Sequence, residues 1–269
     1  MKILGDYPKV RLRRNRKYDW SRRLVSENNL TVDDLILPIF VTDGKNKIQP
    51  IKSMPNVYRY SLDKVNQVVN KASKCGIPLL AIFPHTQNKK KNSIGSEALN
   101  EDNLVCKTIR LIKKNNPNIG VMADVALDPY TDHGHDGILK GKEILNDETT
   151  KILSKQALLQ AEMGCDVIAP SDMMDGRVGI IRKTLDKNNF KNIQILSYAV
   201  KYSSNFYGPF REAIGSKKKL KGSKKSYQMD YKNSSEALRE VALDIKEGAD
   251  FVMVKPGLPY LDIIKSIKE

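Results

Sequence analysis

The chain has 269 residues, with 46 lysines and arginines against 31 acidic residues, for a formal charge of +15. At 40% apolar and 29% charged residues it buries a real core, which excludes a disordered chain and leaves one large α/β domain or two smaller ones. No apolar run approaches the ~18 residues of a membrane span, and the start lacks a signal-peptide stretch, so a soluble cytoplasmic protein is expected.

Taken in chain order, residues 1–34 read as a basic, helix-poor arm containing Arg11-Leu-Arg-Arg-Asn-Arg-Lys17. Strands are predicted at 35–41, 79–83, 119–127, 167–171, 193–202 and 251–256. Helices are predicted between them at 61–75, 100–115, 147–164, 176–188 and 234–248, and the chain ends inside a sixth helix. Ala237, Leu238, Val241, Ala242 and Ile245 recur at helical spacing as one apolar stripe. Gly76, Gly164 and Gly248 stand where left-handed caps would end helices, and Asp175 stands where an N-cap would start one. Near-continuous apolar strands alternating with helices predict a parallel sheet buried on both faces. No Gly-x-Gly-x-x-Gly turn follows the first strand, and polar residues recur at strand ends, so a (β/α)8 TIM barrel is favoured over an open doubly wound sheet. Only six units are present, so the barrel of 35–269 is expected to be incomplete, with its last two β/α units absent.

The charge does not read as a nucleic-acid footprint. Of the 46 basic residues 34 are Lys and 12 Arg, and neither the first cluster nor Lys217–Lys225 interleaves with aromatic residues. Solvated loops or contacts to another subunit are expected instead. Cys75, Cys106 and Cys165 are odd in number and widely spaced, which predicts buried free thiols.

Strand alternation selects the chemistry. In Ile195-Leu-Ser-Tyr-Ala-Val-Lys201, the face of Lys201 carries Ile195, Ser197 and Ala199, with Leu196, Tyr198 and Val200 toward the helices. Lys255 shares its face with Phe251 and Met253. Two successive strands thus end in lysines aimed at the barrel interior. Burial and a second ammonium both lower a lysine's pKa and free its amine to attack a carbonyl. Asp124, Ala126 and Asp128 share a face of the third strand, followed by Thr131-Asp-His-Gly-His-Asp-Gly137, which reads as a hydrogen-bonded loop more than a zinc site. Asp172 and Asp175 fall near the same rim, and His85 is expected to be structural.

Several long blocks then point to one family. Leu37-Pro-Ile-Phe-Val41, Gly95-Ser-Glu-Ala98, Asp124-Val-Ala-Leu-Asp-Pro-Tyr-Thr131, His133-Gly-His-Asp-Gly137, Ser197-Tyr-Ala-Val-Lys201, Phe206-Tyr-Gly-Pro-Phe-Arg211, Tyr227-Gln-Met229, Glu236-Ala-Leu-Arg-Glu240 and Met253-Val-Lys-Pro-Gly257 occur in order. With them the chain resembles the porphobilinogen synthases (5-aminolevulinic acid dehydratases), lyases that condense two 5-aminolevulinates with loss of two waters. The resemblance implies that Lys255 forms the substrate imine and that Lys201 holds the second substrate. It implies that Arg211 and Lys225 bind a substrate carboxylate, that Phe206 and Tyr207 lie in a closing loop, and that Asp124 serves proton transfers. Asp128, Asp136 and Asp172 would contact substrate, water or a monovalent ion. Glu240 would hold an allosteric Mg2+. The positions of the zinc-binding cysteines read Ala126, Asp128 and Asp136, so no active-site zinc is expected. The arm implies a homo-octamer. Another Schiff-base barrel enzyme of the aldolase kind, or an inactive fragment, stands as the alternative.

Overall fold

The computed structural model describes residues 5–216 and 220–269, so residues 217–219, the head of the second lysine cluster, lie outside the described residues. In chain order the elements are α1 (Asp19–Leu24), β1 (Ile36–Thr42), β2 (Ile48–Pro50), β3 (Tyr58–Ser61), α2 (Leu62–Lys74) and β4 (Leu79–His85). There follow α3 (Leu104–Asn115), β5 (Gly120–Val125), β6 (Ile138–Lys140), β7 (Glu143–Leu145), α4 (Asn146–Glu162), β8 (Val167–Pro170) and α5 (Arg177–Lys187). The chain continues through β9 (Gln194–Lys201), α6 (Gly208–Ala213), α7 (Ser234–Glu247), β10 (Phe251–Lys255) and α8 (Leu261–Lys268).

Six strands pair in parallel in the order β1-β4-β5-β8-β9-β10, each joined to the next by a helical crossover, which is the layout of a (β/α) barrel wall. Beyond β1 lies β3, also parallel to it, with β2 antiparallel at the edge. At the other edge Phe251 of β10 and Leu261 of α8 are exposed. The hairpins β2–β3 and β6–β7 and the short α6 were not expected. Their strands and turns span three to six residues, too few for an apolar period to register.

Alternation divides the core into two layers. Ile39, Val41, Leu80, Ile82, Val121, Ala123 and Ile168 face outward and pack with Val65, Ile109, Leu153, Ala157 and Ile181 of the helices. Phe40, Phe83, Met122, Ala169, Leu196 and Tyr198 face inward, joined by Ala213, Ile214 and Phe210 from the segment after β9. Each large side chain so buried contributes roughly 1.5–3 kcal/mol. Gly76, Gly164 and Gly248 end their helices with φ of +78°, +96° and +107°, the left-handed conformation a cap requires.

Four local expectations are corrected. On β9, Ile195 and Ser197 face the helices, whereas Leu196 and Tyr198 line the interior. Lys201 nevertheless points inward, because the β9–β10 register shifts between Val252 and Val254: Val252 pairs with Ser197, but Val254 pairs with Val200. The one-residue bulge reverses the parity of the strand's last residues. On α7, Leu238 and Ile245 are exposed and Asp244 is buried instead, because a carboxylate is needed opposite the buried Arg177 guanidinium. At the start of α5, Gly176 rather than Asp175 occupies the cap. Cys106 and Cys165 are buried free thiols as expected, but Cys75 is exposed.

Candidate active site

Lys201 and Lys255 end adjacent strands and are directly paired across them. The Lys255 Nζ lies 4.3 Å from the ring centre of Phe210, 4.8 Å from that of Tyr198 and 5.9 Å from that of Tyr207. Burial in this aromatic box, together with the Lys201 ammonium, pulls its pKa down to about 8 against the attraction of Asp124, Asp128 and Asp136. Its backbone is fixed as well, since the Tyr207 hydroxyl donates to the Lys255 carbonyl at 2.9 Å. Lys201 is only 7% exposed; its Nζ donates to the Ser171 carbonyl and lies 3.4 Å from Asp136 Oδ1.

Strand β5 and the loop after it supply the carboxylates. Asp124 is buried on the interior face, and one of its oxygens, Oδ1, has no hydrogen-bond partner. Burial, reinforced by the charge of Asp128, raises its pKa to about 6 despite Ser171 and the two lysines. Asp136 behaves oppositely. Burial pushes its pKa up, but the Lys224 and Lys201 ammoniums and the Tyr227 hydroxyl outweigh this and hold it well below the usual carboxylate range. Lys224 Nζ lies 2.6 Å from Asp136 and 3.4 Å from Asp128, and the Tyr227 hydroxyl donates to Asp136 at 2.7 Å. The His loop is a bonded frame: His135 Nδ1 lies 3.0 Å from the Tyr227 hydroxyl, and its Nε2 lies 2.6 Å from the Lys221 carbonyl.

The described residues between β9 and α7 lie across the barrel mouth. Tyr207 is buried, Arg211 is half-buried with its guanidinium 6.0 Å from the Tyr207 ring, and Phe206 is 71% exposed, away from the lysines. Lys225, expected to reach the site, is exposed and lines a neighbouring cleft; its neighbour Lys224 points inward. A 3-10 turn at Lys224–Ser226, capped by Ser223 Oγ on the Lys225 amide, decides which of the two adjacent lysines turns in. Asp172 does not line the opening. It is fully buried beneath it, accepting from the Met174 amide at 2.7 Å and facing Arg177, and burial raises its pKa to about 7. Glu240 lies apart from the lysines, in a cleft of about 910 Å3 bordered by Asp175, Gln228, Glu236 and the β6–β7 hairpin. His85 is structural as expected, its Nδ1 3.3 Å from Thr42 Oγ1, and burial lowers its pKa to about 4. Sequence reasoning missed Lys224, Tyr227 and Ser171, and it assigned Tyr198 to the wrong face. The Lys224-Lys225 pair marked the right place without resolving which residue turns in.

Paired interior lysines at the carboxyl ends of neighbouring parallel strands define a barrel enzyme equipped for imine chemistry. The chain belongs to the delta-aminolevulinic acid dehydratase family, whose sequence profile matches residues 9–269. It is 58% identical to the delta-aminolevulinic acid dehydratase of Bradyrhizobium diazoefficiens over 260 residues, covering 97% of this chain and 74% of that protein. It is 50% identical to that of Methanothermus sociabilis, covering 98% of this chain and 81% of that one. The Toxoplasma gondii delta-aminolevulinic acid dehydratase (porphobilinogen synthase), solved with its reaction product porphobilinogen, superposes with a TM-score of 0.94 at 44% identity. That match covers 96% of this chain and 74% of the other.

Proposed function

We propose that the chain is a porphobilinogen synthase, condensing two 5-aminolevulinates to porphobilinogen with loss of two waters. The observation that carries the reading is the pair Lys201–Lys255, with Lys255 boxed by aromatic rings and its pKa near 8. Its neutral amine adds to a substrate ketone; the carbinolamine then loses water to leave the imine. Asp124, with a pKa near 6 and a free oxygen, exchanges the protons these steps need. Lys201 holds the second substrate against Asp136. Lys224 and Arg211 receive a substrate carboxylate, in the role expected of Lys225. Tyr207 and Phe210 exclude water over Lys255.

The zinc-independent reading is supported by the donor set: Ala126, Asp128 and Asp136 offer no thiolate, and Lys224 already pairs with both carboxylates. Glu240 is the proposed allosteric Mg2+ carboxylate. Burial raises its pKa against the pull of the Arg177 cation, and the neighbouring Asp244, Asp175 and Glu236 raise it further, a cost that a divalent cation would relieve. Among the described residues no three His, Cys, Asp or Glu side chains form a cage. An Mg2+ held at Glu240 would keep most of its waters and rest on one or two carboxylates. The arm of residues 1–34 exposes Leu12, Trp20, Leu24 and Leu30, which supports packing on further copies of the chain in a homo-octamer beside the barrel of 35–269. No helix among the described residues is long and apolar enough to cross a membrane, and a cytoplasmic location without nucleic-acid partners remains the proposal. Incubation with 5-aminolevulinate, borohydride reduction and peptide mapping test the reading. The adduct is expected on Lys255, and an unmodified Lys255 with no porphobilinogen formed sinks it. Glu240→Ala is expected to abolish Mg2+ activation and spare adduct formation.

A further inference from the structure

The helix that carries the aromatic lid is too short to hold itself. An isolated helix needs about 12–15 residues to be even marginally stable in water, whereas α6 spans six, Gly208–Ala213. Its last turn is nonetheless pinned from the far side of the barrel. Arg59, in β3, is 154 residues from Ala213 in sequence, yet its Nε donates to the Ala213 carbonyl at 2.6 Å, and its Nη2 donates to the carbonyl of Glu212. Both carbonyls lie at the end where the peptide dipoles leave partial negative charge, and that of Glu212 also accepts from the Gly215 amide at 3.1 Å. A planar guanidinium satisfies both at once.

The anchor is also correctly aimed. Arg59 is paired across the sheet with Phe40. The Phe40 ring lies 6.2 Å from that of Phe210, Phe83 meets Phe210 edge-on at 5.1 Å, and Lys255 Nζ lies 4.3 Å above the same ring. Directly after α6, Gly215 adopts φ +73° against His85, where a Cβ would come within 2.7 Å of the imidazole. The end of α6 is therefore seated on β3 and β4 by contacts that involve neither reacting lysine.

We propose that Arg59 is a positioning residue for the imine chemistry, clamping the carboxyl end of α6 so that Phe210 stays seated over Lys255. The inference rests on the reading that Lys255 forms the substrate imine. Without the clamp α6 lifts, more water reaches the amine, and the Lys255 pKa moves part of the way back toward its ordinary value. The groups that face Lys255 (Lys201 and Tyr198 from β9, Asp124 from β5, Asp128 and Asp136 from the following loop, and Tyr207 ahead of α6) are untouched by the substitution. A change in the titration of Lys255 then reports the lifting of α6, and Arg59→Lys controls for the lost charge.

Two measurements on Arg59→Gln and Arg59→Lys in the full chain test it. Amide hydrogen exchange over Gly208–Ala213 is expected to quicken at least tenfold in Arg59→Gln, with α7 and β9 unchanged. The pH midpoint of borohydride-trapped imine on Lys255, with 5-aminolevulinate as probe, is expected to rise from about 8 by about one unit, a roughly tenfold loss of trapping at pH 7. Methylguanidinium is expected to restore both readouts in Arg59→Gln, and Arg59→Lys, which keeps the charge but not the fork, to fall between. Unchanged exchange in α6 overturns the proposal whatever the chemistry does. A rate loss with an unmoved midpoint and no rescue also overturns it, since that is mere destabilisation. Should Arg59→Gln not fold, the proposal stands or falls on the same two readouts in Arg59→Lys. Absence of any adduct in the unsubstituted chain instead sinks the reading of Lys255, while the exchange experiment still judges the clamp.

Discussion

Replacing Lys201 by Met removes one ammonium of the interior pair while keeping the length and apolar stem of the side chain. Lys255 is then pulled down by burial alone, and the attraction of Asp124, Asp128 and Asp136 is no longer opposed by a like charge. Two unit charges on paired residues of neighbouring strands are roughly 5–6 Å apart, and at an effective dielectric constant of about 20 they repel by about 3 kcal/mol. Part of that is already neutralised by Asp136, 3.4 Å from Lys201, so a net effect of about 1.4 kcal/mol is expected. The Lys255 midpoint should rise from about 8 to about 9, and the neutral fraction at pH 7 should fall about tenfold. The assay is the initial rate of borohydride-trapped 5-aminolevulinate on Lys255 from pH 6 to 10, with the modified peptide quantified by mass. It isolates attack at Lys255 from whatever Lys201 does later in turnover. A midpoint that stays at 8 or falls refutes the argument that the second ammonium tunes the first.

Three further outcomes are expected. Lys224→Ala should lower kcat/KM by at least tenfold, whereas Lys225→Ala should stay within about twofold of the unsubstituted chain; steady-state kinetics of the two side by side decide which lysine serves the substrate. Asp136→Asn leaves Lys224 and Lys201 buried without their shared counter-charge and should cost about 3–5 kcal/mol in urea unfolding at pH 7, with a loss under 1 kcal/mol refuting the ion cluster. Asp124→Asn tests linkage. A carboxyl whose folded pKa is about 6 against an ordinary 3.8 makes the native state bind its proton more tightly, so stability is lost as pH rises from about 4 to about 6. The Asn variant should lack that loss and, relative to the unsubstituted chain, gain up to about 3 kcal/mol between pH 4 and pH 7 in denaturant melts.

Much of this site is written in local patterns. Six apolar strands with Gly-capped helices between them determine a parallel barrel wall, because strand and helix periods and left-handed caps act within a few residues. The same short-range alternation puts Asp124 with Asp128, and Lys255 with Met253, on the inner face. It held for Lys201 but failed for the earlier residues of β9, Ile195 to Tyr198, for a definable reason: a bulge on β9 is a relation between two strands, and a single strand's pattern does not contain it. The family blocks carried the two lysines and the lid, yet not which of Lys224 and Lys225 turns inward, since that depends on one capped 3-10 turn folding against Asp128 and Asp136.

What the sequence by itself determined is the barrel layout, the placing of two lysines at the ends of neighbouring strands and the family to which the chain belongs. Those rest on residue type and on spacing along the chain. Tertiary structure alone decided that Lys255 is boxed by Tyr198, Tyr207 and Phe210, that Asp124 and Asp136 titrate in opposite directions, and that Arg59 reaches across the barrel to α6. Desolvation and charge pairing depend on which side chains meet in space, and these partners come from strands and loops far apart in the chain.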